Sequence, residues 1–73
     1  MNKKELLKRF GRNVKIERIK KGRTQEQCAE ILGVSANYFA CIENGRQNMS
    51  LGKILELANK LHFKLENLVN FQD

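Results

Sequence analysis

The pattern of apolar and polar residues along the chain predicts a series of helices separated by short turns. In the first, from about Lys3 to Lys21, the apolar positions are Leu6, Leu7, Phe10, Val14 and Ile19. The spacings of three and four residues from Leu7 to Phe10 and Val14 place these residues along one side of a helix. Asn2 can cap the start of this helix, and Gly22 can end it. Most of its other positions are Lys or Arg.

Two short helical patterns joined by a tight turn follow, between residues 25 and 44. Thr24 precedes the first pattern, and Gln27, three residues later, completes the signature of a capping box. The apolar positions of this helix are Cys28, Ala29, Ile31 and Leu32. Gly33 permits the chain to turn, and Ser35 can cap a second helix from Ala36 to about Asn44. The pattern alone is equally compatible with a plain helical hairpin in a small bundle.

The second of these helices has an unusual outer side. At about 100° per residue, its bulky apolar residues fall on one side, which we expect to be buried. The other side carries Asn37, Ala40, Cys41 and Asn44. These residues are small or bear an amide, where a solvated helix would normally carry Lys and Glu. Such a helix can lie in the major groove of DNA, where Asn can bond to adenine through two hydrogen bonds.

Two further helices are expected in the last third of the chain. Ser50 can cap a helix whose apolar positions follow the i, i+3, i+4, i+7 rule, namely Leu51, Ile54, Leu55, Ala58 and Leu61. A last short helix, from about Leu65 to Asn70, has more apolar residues than two turns can bury. The candidates for a homodimer interface are therefore Phe63, Leu65, Val69 and Phe71. An intramolecular end cap is the alternative.

Length and charge indicate a single domain with a polyanionic partner. A chain of 73 residues has room for one modest core, because chains of this size bury only about 60% of their unfolded surface. Residues 1–23 contain ten Lys or Arg and two Glu, a net charge of +8, whereas residues 24–73 carry −2. This asymmetry favours nucleic acid first and an acidic membrane surface second. A basic helix that is merely solvated is the alternative.

The sequence lacks the features of several other protein classes. No apolar run approaches the roughly 18 residues that cross a bilayer, and no signal-type segment follows the N-terminal lysines, so we expect a cytoplasmic protein without a membrane partner. The two cysteines, Cys28 and Cys41, are too few for a disulfide framework, and we expect neither a metal nor a cofactor. No catalytic arrangement or phosphate-binding glycine loop indicates an enzyme or a small-molecule substrate.

The order and spacing of certain residues resemble a known family. These residues are Thr24-Gln25, Ala29, Gly33, Ser35, Tyr38-Phe39 and Ile42-Glu43-Asn44-Gly45, with Arg18 and Gly22 before them and Asn48 to Leu51 after them. Over about residues 8–70 the chain resembles the Cro/C1-type (XRE) family of phage repressors, restriction-modification controllers and small bacterial regulators. The resemblance implies an all-α, compact five-helix, lambda-repressor-like domain spanning residues 1–73. Its helix-turn-helix unit would lie at about residues 24–45.

The resemblance also implies a function and a set of contact residues. It implies a homodimeric transcriptional regulator that binds a palindromic operator in double-stranded DNA. The expected base contacts are Ala36, Asn37, Ala40 and Cys41, and the expected backbone contacts are Gln25, Ser35, Tyr38, Asn44, Arg46 and Gln47. The alternative is a core contact for Tyr38 and ordinary helix surface for Gln25. Arg18 and Glu43 are expected to form a partly buried ion pair.

This sequence departs from the family pattern at several positions. Relatives often have glutamine or arginine at several base-contacting positions, so the short side chains here leave Asn37 as the main candidate for direct readout. DNA shape would then contribute a larger share of the specificity. Met49 and His62 stand where the family usually has proline and glycine. An antitoxin-like or other protein-interaction module, in which DNA binding is secondary, is the alternative function.

Overall fold

The computed structural model describes residues 1–71, which form five helices around one core. The helices are α1 Lys3–Lys20, α2 Gln25–Leu32, α3 Ala36–Glu43, α4 Leu51–Leu61 and α5 Leu65–Leu68. No strand occurs in this part of the chain. None of these helices has the length and apolar character that a bilayer-spanning segment requires. The expectation of an all-α, five-helix domain is confirmed.

Side-chain caps explain where the first four helices begin. Asn2, Thr24, Ser35 and Ser50 each accept a hydrogen bond from the backbone amide three residues later, over 2.9–3.1 Å. At Thr24 the capping box is complete, because the Gln27 side-chain oxygen accepts from the Thr24 amide over 2.9 Å. Each cap gives a partner to an amide that has none within its own helix. The predicted starts of these helices are therefore confirmed.

The ends of the helices differ from the predicted ends by one or two residues. The helix α1 ends at Lys20 rather than Lys21, α3 at Glu43 rather than Asn44, and α5 at Leu68 rather than Asn70. After α4, His62 takes the left-handed backbone conformation with φ at 59°. Because a β-carbon is unfavourable in that conformation, the histidine ends α4 at a steric cost that glycine would not incur.

The core draws side chains from every helix. Its buried apolar members are Phe10, Val14, Cys28, Ala29, Phe39, Ile42, Leu57, Ala58, Leu61, Phe63 and Leu68. The helix α3 packs on both α1 and α2, while α4 packs on α2, and α5 packs on α1 and α4. The helices α1 and α2 therefore pack against the side of α3 that carries Phe39 and Ile42, and the opposite side of α3 faces outward.

Several apolar residues that were predicted to face the core are exposed instead. Ile19 and Ile31 are exposed, and on α4 Leu51 is 84% exposed and Leu55 about half exposed. The helix α4 turns Leu57 toward the core, a residue that the predicted stripe did not include. In a leucine-rich helix, two overlapping sets of positions satisfy the same spacing rule, and only packing against α2 and α5 selects one of them.

The four residues predicted for a dimer interface differ in their exposure. Phe63 is 6% exposed and belongs to the core of the monomer, so its ring is not available to a second subunit. Phe71 is half-buried against the core, and its carbonyl accepts a hydrogen bond from Arg9 Nη1 over 3.0 Å. Leu65 and Val69 are exposed. Any dimer interface at this end of the chain therefore excludes Phe63.

Candidate nucleic-acid interface

The outer side of α3 carries the residues that were predicted to contact bases. Ala36 and Asn37 are exposed, and Ala40 and Cys41 are half-buried. The core takes its α3 residues from the opposite side of the helix. Within residues 1–71 the Asn37 amide makes no hydrogen bond, so its donors and its acceptor are all available to an external partner.

Two residues at the start of α3 contribute to the fold as well as to the surface. Ser35 Oγ accepts a hydrogen bond from the Tyr38 amide over 3.0 Å, which leaves the hydroxyl hydrogen able to donate outward. The Tyr38 ring is half-buried and packs against the core, next to Leu32 and Met49. The core contact, one of the two roles expected of Tyr38, is therefore present.

Glu43 joins three helices at the C-terminal end of α3. Its side chain is 2% exposed and accepts from Arg18 Nε over 2.7 Å and from Arg18 Nη2 over 3.3 Å. The Gln25 side-chain nitrogen donates to the same carboxylate over 2.9 Å. The hydrogen bond to Glu43 raises the pKa of Arg18 above its ordinary value, although burial opposes that rise. The expected Arg18–Glu43 ion pair is present, and it also includes Gln25.

This carboxylate fixes the first turn of α2 against α3. Gln25 is the first residue of α2, where backbone amides lack partners within the helix and the helix dipole is positive. The Gln25 side chain uses one of its two N–H groups on Glu43 and retains the second. The side-chain and backbone nitrogens of Gln25 can therefore both donate to an anion such as a phosphate.

The turn after α3 presents polar groups beside the outer side of that helix. Gly45 takes the left-handed conformation with φ at 72°, which lets the chain reverse directly after the helix. Asn44 and Arg46 are exposed, and Gln47 is half-buried with its side-chain nitrogen 3.4 Å from the Asn48 carbonyl. Arg46 has no acidic partner among the described residues, so its guanidinium can bind a phosphate through two hydrogen bonds.

Gly11 has a role that the sequence analysis missed. A β-carbon at this position would overlap the carbonyl oxygens of Ile42 and Glu43, so α1 crosses the end of α3 at backbone distance. Only glycine permits this approach. The signal in the sequence was a glycine inside a predicted helix. Glycine costs about 1 kcal/mol relative to alanine at such a position, so its presence there indicates close packing against another element.

Two polar side chains tie α4 and α5 to the first part of the chain, again without a sequence signal. Asn13 donates from its side-chain nitrogen to the carbonyls of Leu68 and Asn70, over 2.9 and 3.0 Å. Arg23 Nη1 donates to the Leu61 carbonyl over 2.9 Å. Leu61 and Leu68 are the last residues of α4 and α5, where carbonyls lack partners within the helix, and Asn70 follows α5. These contacts fix α4 and α5 against the part of the molecule that carries α3.

The two cysteines occupy different environments and are both free thiols. Cys28 is fully buried, and this burial raises the pKa of its thiol. Cys41 is half-buried on the outer side of α3. Cys28 therefore acts as a small core residue. No group of His, Cys, Asp and Glu side chains within residues 1–71 is arranged to hold a metal ion.

A comparison with known families identifies this arrangement. The family model described as a helix-turn-helix domain matches residues 9–70, which include all of α2 to α5. The chain belongs to the helix-turn-helix domain family. The family covers every residue singled out above as a DNA-contact candidate, including Gln25, Asn37 and Arg46.

Two solved structures share the fold of this helix-turn-helix domain. The restriction-modification controller protein C.AhdI from Aeromonas hydrophila superposes with a TM-score of 0.82 and 32% identity, over 93% of this chain and 99% of that chain. The hypothetical transcription factor NHTF from Neisseria gives a TM-score of 0.80 and 26% identity, over 96% of this chain and 80% of that chain. No curated protein matches this chain in sequence. The expected Cro/C1-type helix-turn-helix regulator fold is confirmed.

Proposed function

We propose that this helix-turn-helix domain is a homodimeric transcriptional regulator that binds a palindromic operator in double-stranded DNA. The observation that carries the proposal is the outer side of α3, which is free of bulky side chains and adjoins unpaired donors at Gln25 and Arg46. The major groove admits a helix of this size, and a helix with small outer residues can approach the base edges closely. Similarity to a controller protein and to a transcription factor supports the same class of function.

In the proposed complex, α3 lies in the major groove and reads a small number of bases. The free amide of Asn37 can bond to adenine through two hydrogen bonds. Ala36, Ala40 and Cys41 can contact thymine methyl groups. Because these three side chains offer little hydrogen bonding, the deformability of the operator supplies a large share of the sequence preference.

Contacts to the DNA backbone hold α3 in register in this proposal. The start of α2 supplies the amides of Gln25, and the start of α3 supplies the Ser35 hydroxyl. The turn after α3 supplies Asn44, Arg46 and Gln47, of which the Arg46 guanidinium is the strongest donor; the Tyr38 hydroxyl adds a further donor. These contacts set orientation and affinity and are common to all sequences.

The proposed dimer uses exposed apolar residues of α4 and the C-terminal segment. Leu65 and Val69 are four residues apart, and Leu51 and Leu55 have the same spacing on α4, which packs on α5. Covering these side chains with a second copy removes apolar surface from water. Phe71 is half-buried against the core and follows Val69 by two residues, so it would lie at the edge of this interface. A two-fold dimer sets two recognition helices about 34 Å apart, one DNA turn.

Selection of duplexes from a random pool, followed by measurement of the stoichiometry, tests this proposal. We expect a palindromic site bound by two chains. With six to eight phosphates contacted by a dimer, log affinity should fall against log salt concentration with a slope of about −5 to −7. A preferred site without symmetry, or a complex with one chain per site, would refute the homodimer, and the absence of any preferred duplex would refute the function.

Two substitutions separate the proposed roles. Asn37→Ala should relax the preference at one base position per half-site, by about 1–3 kcal/mol, and leave the salt slope unchanged. Arg46→Ala should weaken all sequences alike and make the slope shallower by about 1 per protomer. Fluorescence anisotropy with the selected duplex and with single-base variants measures both effects. Equal effects of the two substitutions on all duplexes would contradict the assignment.

A further inference from the structure

The first half of α1 lies directly beside the turn that follows α3. A β-carbon on Gly45 would stand 2.7 Å from Lys8 Cα and 2.8 Å from the Lys8 backbone nitrogen, so the two backbones are in contact. The side chains of Lys4, Lys8 and Arg46 line one open cleft at this contact, together with Asn44. Lys4 and Lys8 are four residues apart and therefore share one side of α1. We call this feature the α1–turn cleft.

The cations of the α1–turn cleft lack acidic partners. Lys4, Lys8 and Arg46 are exposed, and none of them forms an ion pair within residues 1–71. Two lysines elsewhere do form ion pairs, because Lys20 lies 3.1 Å from Glu17 and Lys60 lies 3.1 Å from Glu56. Three like charges around one cleft repel each other, and an anion bound between them would offset this repulsion.

We propose that the α1–turn cleft binds one or two phosphates of the DNA backbone, in addition to those held at the start of α2. The inference rests on the proposed DNA-binding function, and it assigns Lys4 and Lys8 of α1 to that interface. Asn44 and Arg46 belong both to the cleft and to the turn beside α3, so a duplex that covers the outer side of α3 reaches the cleft without a second docking event. The ammonium groups bind phosphate as point charges, while the Arg46 guanidinium supplies directional hydrogen bonds.

The direct contact between the backbones makes the site a fixed part of the domain. The close approach at Gly45 holds α1 against the turn, and the crossing at Gly11 holds the same helix against the end of α3. The backbones of Lys4 and Lys8 therefore keep a constant offset from that of Asn37. A phosphate bound in the cleft consequently fixes the insertion of α3 into the groove, in addition to contributing charge neutralisation.

The double substitution Lys4→Gln with Lys8→Gln tests the inference against a matched control. The control is Lys60→Gln with Lys64→Gln, which removes the same charge at the junction of α4 and α5, two elements that have little contact with α3. Both variants, with circular dichroism to confirm folding, are titrated onto the duplex selected by the wild-type protein at several salt concentrations. Because each phosphate contributes about 0.9 to the slope of log affinity against log salt, the cleft variant should lose about 2–4 from the slope of a dimer. The control should keep the wild-type slope, and both variants should keep the wild-type base preference.

Each other outcome has a distinct meaning. Wild-type protein that binds no duplex would refute the proposed function itself. Wild-type binding with equal slope changes in both variants would show a general effect of net charge and overturn the role of the cleft. Wild-type binding to vesicles of anionic phospholipid that the cleft variant loses, with DNA binding unchanged, would assign the cleft to a membrane surface and also overturn the inference.

Discussion

Replacing Glu43 with alanine removes the carboxylate that joins α1, α2 and α3. Arg18 would then keep its charge in a site where its side chain is only 13% exposed. Removing one partner of a buried ion pair typically costs about 3–5 kcal/mol, because the other charge is left without compensation. Arg18 retains one hydrogen bond, from Nη1 to the Arg23 carbonyl over 2.9 Å. We therefore expect a loss near the lower limit, about 3 kcal/mol of the free energy of unfolding.

Urea unfolding followed by circular dichroism measures this loss. Wild-type and variant proteins must be compared at one protein concentration, because dimerisation would make the stability depend on concentration. The measurement should be repeated in low and high salt, since a buried pair is screened much less than an exposed one. As a control, Lys60→Ala removes the nearer of the two lysine partners of the exposed Glu56 and should have little effect.

The double variant Arg18→Met with Glu43→Leu distinguishes charge from packing. It leaves no unpaired charge in the interior, so it should be more stable than Glu43→Ala alone. A loss below about 1 kcal/mol for Glu43→Ala, or one that disappears in high salt, would show that solvent screens the pair. Either result would contradict the reasoning that this carboxylate holds α3 against α1.

Two further predictions concern packing and thiol reactivity. Gly11→Ala should lower the free energy of unfolding by about 1–3 kcal/mol or more, because its methyl group meets the α3 backbone. The control is Gly52→Ala, because a β-carbon there meets only one side-chain atom, at 3.9 Å. This substitution should be neutral or stabilising by up to about 1 kcal/mol. Equal effects of the two substitutions in urea unfolding would refute the close crossing of α1 and α3. Cys41 should react with iodoacetamide in the native protein, whereas buried Cys28, with its raised pKa, should react only on unfolding. Peptide mass spectrometry measures the alkylation rate of each cysteine. Similar rates for Cys28 and Cys41 in the native protein would contradict their difference in burial.

The helix starts were predictable because each is encoded within a few residues. Thr24 and Ser50 act on amides in their own helical turn, so their effect does not depend on the rest of the fold. The Arg18–Glu43 pair was predictable through the family resemblance and through the cost of leaving a buried acid unpaired. The exposure of Asn37 followed from the helical period alone. In each case, a local rule or a single long-range pairing was sufficient.

The remaining features depend on how the helices meet, which helical spacing does not specify. Leu51 satisfies the apolar pattern of α4 yet is exposed, because the position of α2 and α5 selects a different stripe that includes Leu57. Phe63 lies next to a short helix with surplus apolar residues, but the chain turns it inward. The participation of Gln25 in the Glu43 network requires two helices to approach at one particular point. Such features need the packed structure.

Under the proposed function, the separation between the two sides of α3 affects how the preferred DNA sequence can change. Phe39 and Ile42 of α3 belong to the buried core, whereas the residues at positions 36, 37, 40 and 41 do not. Substitutions at the exposed positions 36 and 37 should therefore carry little cost in folding, and small side chains should be tolerated at the half-buried positions 40 and 41. In the proposed complex, new operator preferences could arise there by single-residue steps, while the scaffold and the proposed phosphate contacts stay the same. A graft of four residues between related regulators should consequently transfer recognition without redesign of the core.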